Sequence, residues 1–264
     1  RSILDARKWR PVLLSGRRIP FLTQRQSRLA LAVGSAFLTV ALAGCSRSAA
    51  TYVERGDAAV AKGDLAAAVL EYRNAVEKDP LLGAARLKLA ETYVKQGNGA
   101  GALAEYVRAA DLLPQDIDAQ IKAATLLGLA RRFEDARSRA DKALAIDPKN
   151  VDALVIRANA LASLTDLDGA LKQMQEALSI DPRASIETNL GAIQAAKGDL
   201  PAAETSFRHA VESDPKSVAA QVALGQFLWS TGRATDAEAS FKAALALDAE
   251  NLLAHRALAL FYLQ

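Results

Sequence analysis

The sequence predicts an all-α protein built from stacked pairs of helices, and three observations support this. First, Pro80, Pro114, Pro148 and Pro182 stand 34 residues apart, and Pro215 follows after 33. Second, small residues recur at fixed places between these prolines. Third, 51% of the residues are hydrophobic but only 5% are aromatic, and Ala supplies much of the apolar share. A fixed period of this length indicates a repeat array of thin, closely packed helices rather than one bulky core.

Three positions are nearly constant when each repeat is counted so that its Pro is position 32. Position 8 is small in every repeat: Gly56, Ala90, Ala124, Ala158, Gly191 and Gly225. Position 20 is always Ala: Ala68, Ala102, Ala136, Ala170, Ala203 and Ala237. Position 27 is also always Ala: Ala75, Ala109, Ala143, Ala177, Ala210 and Ala244. Small residues at positions 8 and 20 predict two helices that approach closely within each unit.

Each unit reads as two apolar-periodic segments of about 13 residues, such as 83–96 and 99–112. A short turn separates them, and four of the six turns carry Gly, at Gly63, Gly97, Gly198 and Gly232. Gly there supplies the positive φ that ends a helix. Asp-Pro after the second segment ends that helix, because the residue before Pro avoids the α region. Position 24 is large except at Ala140, so it is expected to fill space between units, with looser packing in the third repeat.

This pattern resembles the tetratricopeptide repeat (TPR). The resemblance implies a superhelical solenoid of antiparallel helix pairs, with six full repeats at 49–82, 83–116, 117–150, 151–183, 184–217 and 218–251. Residues 252–264 look like the first helix of a seventh repeat without its partner. The only Met is Met174, and residue 1 is Arg. We therefore expect a fragment of a longer array, or a last helix covered by a partner.

Residues 1–44 are predicted to be a leader. Arg25 and Arg28 precede sixteen uncharged residues, 29–44, which is the layout of a secretory signal peptide. The run ends at Leu42-Ala43-Gly44-Cys45, which resembles the lipobox of bacterial lipoproteins. That resemblance implies cleavage before Cys45, lipidation of Cys45, a short tether at 45–48 and an outer-membrane location facing the periplasm. The alternatives are ordinary cleavage that gives a soluble exported protein, an uncleaved anchor, or an incidental Cys.

The charge of the remaining chain argues against a nucleic-acid partner. The leader holds eight basic side chains and one acidic one, and the chain after Cys45 holds 25 basic and 29 acidic residues. A nucleic-acid footprint would be basic. One Cys and two distant His predict no metal site and no cofactor. The sequence shows no phosphate-binding loop, zinc-protease motif or nucleophile elbow, so we expect no catalytic residues and no enzyme activity.

The resemblance also implies a binding groove, because in the TPR family positions 2, 5, 9 and 12 of the first helices face the concave surface. The candidate groove residues are Leu87, Glu91, Val94, Ile121, Thr125, Val155, Asn159, Val222, Gln226 and Trp229. Position 5 carries no Lys, and only Asn159 is Asn at position 9, so a clamp for a peptide carboxylate is not expected. An amphipathic helix or an extended segment would suit this mostly aliphatic surface. Trp229 is the expected energetic centre, exposed in the groove.

The predicted function is a non-enzymatic scaffold of the bacterial envelope that binds protein or peptide segments. The lipobox followed by repeats such as 62–80 is similar to TPR lipoproteins of exosortase (PEP-CTERM) and exopolysaccharide export loci. Pilus-biogenesis lipoproteins are the second candidate. Two further alternatives stay open: the accessory repeats of an enzyme that continues beyond residue 264, and a structural spacer that binds nothing.

Overall fold

The computed structural model describes residues 47–263, and within that range the chain forms α-helices and no strand. The helices are α1 (Ala49–Ala61), α2 (Leu65–Lys78), α3 (Gly83–Lys95), α4 (Gly99–Leu112), α5 (Ile117–Leu129), α6 (Phe133–Ile146), α7 (Val151–Ser163), α8 (Leu167–Ile180), α9 (Ala184–Lys197), α10 (Leu200–Ser213), α11 (Val218–Ser230), α12 (Ala234–Leu247) and α13 (Leu252–Tyr262). The predicted all-α fold is confirmed. The leader and Cys45 lie outside the described residues, so what was predicted for them stays a prediction. None of the described helices is long and apolar enough to cross a membrane.

Odd- and even-numbered helices alternate as the first and second helix of each repeat. The closest packing joins the two helices of one repeat, and each second helix also packs on the first helix of the next repeat. First helices touch one another directly as well, α5 with α7, α7 with α9, α9 with α11 and α11 with α13. Close contact between first helices places them on the inner side of the stack. The solenoid of six repeats plus one helix is therefore confirmed.

Most helices begin at a polar residue whose side chain caps the free backbone N–H groups of the first turn. The side-chain oxygen accepts a hydrogen bond from an N–H of that turn at Ser48, Asp64, Asn98, Asp116, Asn150, Asp166, Asp199, Ser217 and Asn251. Each such cap contributes about 1 kcal/mol to helix stability. These short polar side chains therefore fix the residue at which each helix starts.

The turns inside the repeats share one backbone conformation. The four glycines have φ between +73° and +89°, as predicted. The other two repeats reach the same region with Arg131, at φ +59°, and Thr165, at φ +69°. Both side chains are sterically strained there, and for a β-branched residue such as Thr the strain is larger. The repeat geometry thus imposes a left-handed residue even where the sequence does not provide Gly.

The second helices end in an extended residue, in most cases the Asp before Pro. Asp79 has φ −137° and ψ +92°, and its carboxylate accepts a hydrogen bond from the Leu81 N–H at 3.1 Å. Asp248 repeats this with the Glu250 N–H at 3.2 Å, although Ala249 stands where Pro would be. The helix therefore ends without Pro, because the Asp side chain forms the same turn.

The core is formed by the recurring small positions and the large residues that cover them. All position 20 and position 27 alanines are at most 1% exposed. Position 24 also covers position 8 of its own repeat, where an added Cβ on Gly56 would lie 2.4 Å from the Tyr72 ring. It also reaches the next repeat, since the Phe207 and Phe227 ring centroids are 5.2 Å apart. Position 24 therefore fills space between units, as predicted, and within its own unit as well.

Candidate binding groove

The candidate groove residues divide into exposed, half-buried and buried sets. Val94, Thr125, Asn159 and Gln226 are exposed, and Leu87, Glu91, Ile121, Val155 and Trp229 are half-buried. Ile121 and Val155 pack against the core cluster around α7 and α8, so they support the groove floor. Val222 is only 2% exposed and belongs to the core between α11 and α12. Its expected role as a groove residue is corrected, because a buried Val offers no surface to a partner.

Trp229 holds the last two first helices together. Its ring meets the ring of Phe261 edge to face, with centroids 5.6 Å apart, and Phe261 also packs on Phe241. The ring centroids of Phe261 and Tyr262 are 5.5 Å apart. Aromatic pairs of this kind contribute about 0.5–1.5 kcal/mol beyond the area they bury. The expectation of a Trp229 ring free in the groove is therefore corrected to a half-buried ring engaged with α13.

Ion pairs join neighbouring first helices along the first three repeats. Lys88 Nζ donates to Asp57 Oδ1 at 2.6 Å, and the Tyr72 hydroxyl donates to the same oxygen at 2.6 Å. In the next repeat Lys122 Nζ lies 3.0 Å from Glu91 Oε1 and 2.7 Å from Asp118 Oδ2. We call the surface of α1 and α3, together with Lys122, the charged segment. The charges of these pairs are already matched, so a charged ligand that bound to them would have to displace a pair.

The pKa values reflect this pairing. Burial raises the pKa of Asp57, but the hydrogen bonds from Lys88 and Tyr72 outweigh it and hold the pKa of that carboxyl below its usual range. Hydrogen bonds to Asp118 and Glu91 raise the pKa of Lys122 despite partial burial. Burial and the bond to Asp57 raise the pKa of Tyr72. Each group is thus stabilised in the protonation state that the pairing needs at neutral pH.

From α5 to α11 the groove positions carry few charges, namely Lys122 and, at position 2, Asp118 and Asp152, which pair with Lys122 and Arg183. We give the name neutral segment to the surface formed by positions 5, 6, 9, 12 and 13 of α5, α7, α9 and α11. Lys122, at position 6 of α5, is not part of it. No charged side chain stands at these positions. Along the described chain the side-chain amides of Asn159, Asn189 and Gln226 have no hydrogen-bond partner. The neutral segment therefore offers free donors and acceptors beside apolar surface.

Two pockets open into the neutral segment. The first, of about 220 Å³, lies between α5 and α7 and is mainly apolar, lined by Ala124, Thr125, Gly128, Leu129, Phe133, Ala136, Ile156, Asn159, Ala160 and Ser163. The second, of about 380 Å³, is more open and lies between α9 and α11. The first pocket sits in the third repeat, where position 24 is Ala140. Looser packing was predicted for this repeat, and the pocket lies beside its position 8 residue, Ala124.

The predictions from sequence missed position 6. It supplies Lys88 and Lys122 to the charged segment and Asn189 to the neutral one. A signal was available, because the two lysine pairs between neighbouring first helices span 31 residues, Asp57 with Lys88 and Glu91 with Lys122. An acidic residue that is followed by a basic residue three positions before one full repeat period indicates an ion pair between neighbouring first helices. Position 6 was not considered a groove position.

The remaining titratable groups carry structural contacts. His209 is exposed, and its Nδ1 contacts the buried carboxylate of Glu187, to which Ser213 Oγ also donates at 2.7 Å. His255 is exposed, and its Nε2 lies 2.7 Å from the Ala249 carbonyl oxygen. Within residues 47–263 no group of three or more His, Cys, Asp or Glu side chains is arranged to hold a metal ion.

The fold defines a helical-repeat protein of the solenoid class, with the first helices of neighbouring repeats in contact. A sequence model of the tetratricopeptide repeat matches residues 53–117, 121–185 and 188–251, which together make up most of the chain. The chain therefore belongs to the tetratricopeptide repeat family. Members of this family generally bind proteins or peptides and are generally not enzymes.

Solved structures show the same fold. A thermophilic TPR protein of Thermus thermophilus is 22% identical with a TM-score of 0.62, covering 69% of this chain and 100% of that one. A TPR protein of Parabacteroides merdae is 18% identical with a TM-score of 0.58, covering 82% and 100%. Pseudomonas aeruginosa PilF is 14% identical with a TM-score of 0.56, covering 80% and 96%. No curated protein sequence matches the chain. At these identities the similarities concern the fold.

Proposed function

We propose that this protein is a non-enzymatic scaffold of the bacterial cell envelope that holds partner proteins in its concave groove. The observation that carries the proposal is the neutral segment, where two pockets adjoin side-chain amides without partners. Apolar surface beside polar groups that have no partner within the protein is typical of a binding site. The ion pairs of the charged segment, by contrast, already join neighbouring repeats within the chain.

Attachment to the membrane is the second part of the proposal, and it rests on sequence. The uncharged run 29–44 ends at Cys45 in a lipobox-like motif, and two basic residues precede it. Acylation of the Cys45 thiol and amine would give the two or more chains that stable anchoring needs. The groove would then face the periplasm from the outer membrane. Export of an envelope product, as in the exosortase or exopolysaccharide systems, is the setting we propose.

Affinity capture after crosslinking in native membranes tests the scaffold role. The wild-type chain is compared with Asn159→Arg, which places a charge in the neutral segment, and with Gln175→Arg, a matched amide-to-arginine change on the exposed surface of α8. We expect one set of envelope proteins to be captured by wild type and Gln175→Arg and lost with Asn159→Arg. Components of an exopolysaccharide, exosortase or pilus machine would identify the system. Equal capture by all three proteins, or no specific capture, would contradict the proposal.

Membrane attachment has its own test. Mass spectrometry of the wild-type N-terminal peptide should find acyl chains on Cys45. Cys45→Ala removes the acylated thiol and the predicted cleavage site together, so that variant should keep its leader and carry no acyl chain. An unmodified Cys45 thiol in the wild type would refute the lipid anchor and leave the scaffold role standing.

A further inference from the structure

The two parts of the groove differ in what they leave free for a ligand. In the charged segment Asp57, Lys88, Glu91 and Lys122 satisfy one another across neighbouring repeats. In the neutral segment Asn159, Asn189 and Gln226 have free side-chain amides. A ligand can bind groups that have no partner within the protein without breaking an existing pair. This difference locates the ligand on α5, α7, α9 and α11.

We propose that the ligand is an extended, uncharged segment of a partner protein, with one bulky apolar side chain that enters the pocket between α5 and α7. This inference rests on the proposed scaffold function and specifies the ligand of the same groove. The charge of the ligand follows from complementarity, since the neutral segment holds no charged side chain and the neighbouring Asp118 and Asp152 are already paired. Burying an unpaired charge there would cost far more than burying an uncharged residue.

The extended conformation follows from the free amides. A side-chain amide of Asn or Gln donates and accepts at once, so it can pair with both the N–H and the C=O of a main chain. An α-helix uses those groups internally and would leave Asn159, Asn189 and Gln226 buried without partners, which costs free energy at each position. An extended segment brings unpaired main-chain groups past all three.

The apolar anchor follows from the pocket between α5 and α7. Its volume of about 220 Å³ is lined mainly by carbon atoms of Ala124, Gly128, Phe133 and Ile156, with Thr125 and Asn159 at its side. A cavity of this size accommodates a Leu, Ile or Phe side chain. Gly128 opens it, because an added Cβ there would meet nothing within 4 Å.

Gly128→Leu is therefore a variant that fills the pocket without disturbing the fold. Gly128 lies in α5 with an unstrained backbone, so Leu is accepted and raises helix propensity. Gly99→Leu is the matched control, since Gly99 is exposed in α4 and an added Cβ there also meets nothing within 4 Å. Asn159→Ala removes one amide from the groove while keeping the helix.

The test is selection of random 12-residue peptides displayed on phage against the full chain, followed by fluorescence anisotropy with the enriched peptides. We expect enriched peptides to share an uncharged stretch with one bulky apolar residue. Gly128→Leu should weaken their binding roughly tenfold or more, Asn159→Ala several-fold, and Gly99→Leu not measurably. Replacing the bulky residue of the peptide by Ala should have the effect of Gly128→Leu.

Other outcomes would overturn the inference. Enriched peptides that carry a required charge, or whose affinity is unchanged by Gly128→Leu, would place the ligand elsewhere or give it another chemistry. Helical peptides by circular dichroism in the complex would contradict the extended conformation. No enriched peptide would contradict the inference as well, while capture of partners lost with Asn159→Arg would keep the scaffold function. Failure of both experiments would contradict both the scaffold function and the inference about its ligand.

Discussion

Gly225 lies directly beneath the ring of Phe241, and a Cβ added to Gly225 would stand 2.6 Å from Phe241 Cε1. The same relation joins Gly56 to Tyr72 and Gly191 to Phe207. In these three repeats position 8 is Gly because an aromatic ring at position 24 of the same repeat occupies the place of a side chain. Phe241 is fully buried, so the ring has little room to move away.

Replacing Gly225 by Ala should destabilise the protein. The new methyl group would force Phe241 out of its place, and overpacking of this kind costs about 1–3 kcal/mol. Gly128→Ala is the matched control, because its Cβ meets nothing within 4 Å and Ala is favoured over Gly in a helix by about 1 kcal/mol. Chemical denaturation should show opposite shifts of the midpoint. Equal midpoints for the two variants would show that the ring does not constrain position 8.

Replacing Thr165 by Gly should stabilise the protein. Thr165 has φ +69°, where a β-branched residue is strained by about 1–2 kcal/mol, and Gly has no such strain. The greater freedom of Gly in the unfolded chain offsets part of the gain, so we expect a net gain of about 1 kcal/mol or less. The reciprocal change, Gly232→Thr, should lower the melting temperature. A Thr165→Gly protein that melts below wild type would mean that the Thr side chain makes a compensating contact.

Removing the imidazole of His209 should also destabilise the fold. Glu187 is 3% exposed, and His209 and Ser213 are the side chains that satisfy its carboxylate. His209→Ala leaves one carboxylate oxygen without its partner, at a cost of about 1–3 kcal/mol. His255→Ala serves as the control, because His255 is exposed and should change stability by about 0.5 kcal/mol or less. Similar melting curves for both variants would show that water replaces His209.

The charged segment should lose stability in acid. The pKa of Asp57 is depressed in the folded protein, so its contribution is complete above the unfolded value, about 3.9, and is lost as the pH falls through the folded value. Asp57→Asn should therefore be less stable than wild type at pH 7 and approach it at about pH 3. Urea denaturation at both pH values measures this. A stability difference between wild type and Asp57→Asn that grows in acid would contradict a depressed pKa of Asp57.

The period, the helix pairs and the starts of the repeats could be predicted from the sequence because recurring Pro and Ala mark them directly. The use of Arg131 and Thr165 in a left-handed turn could not, since nothing in their chemistry favours it and only the repeat geometry imposes it. Val222 and Trp229 were assigned to the groove by position alone, but neighbouring rings and α13 decide their burial. The position of a residue within its repeat predicts which way its side chain points. Packing against neighbouring helices then decides how exposed that side chain is.

The central claim is that partners bind in the neutral segment of the groove. Photocrosslinking in living cells tests it most directly, with a benzophenone amino acid in place of Asn159 in one strain and of Gln175, on the exposed surface of α8, in another. We expect a discrete crosslinked adduct from position 159 and none from position 175. Adducts from position 175 alone, or none from either position, would contradict a partner held in the groove.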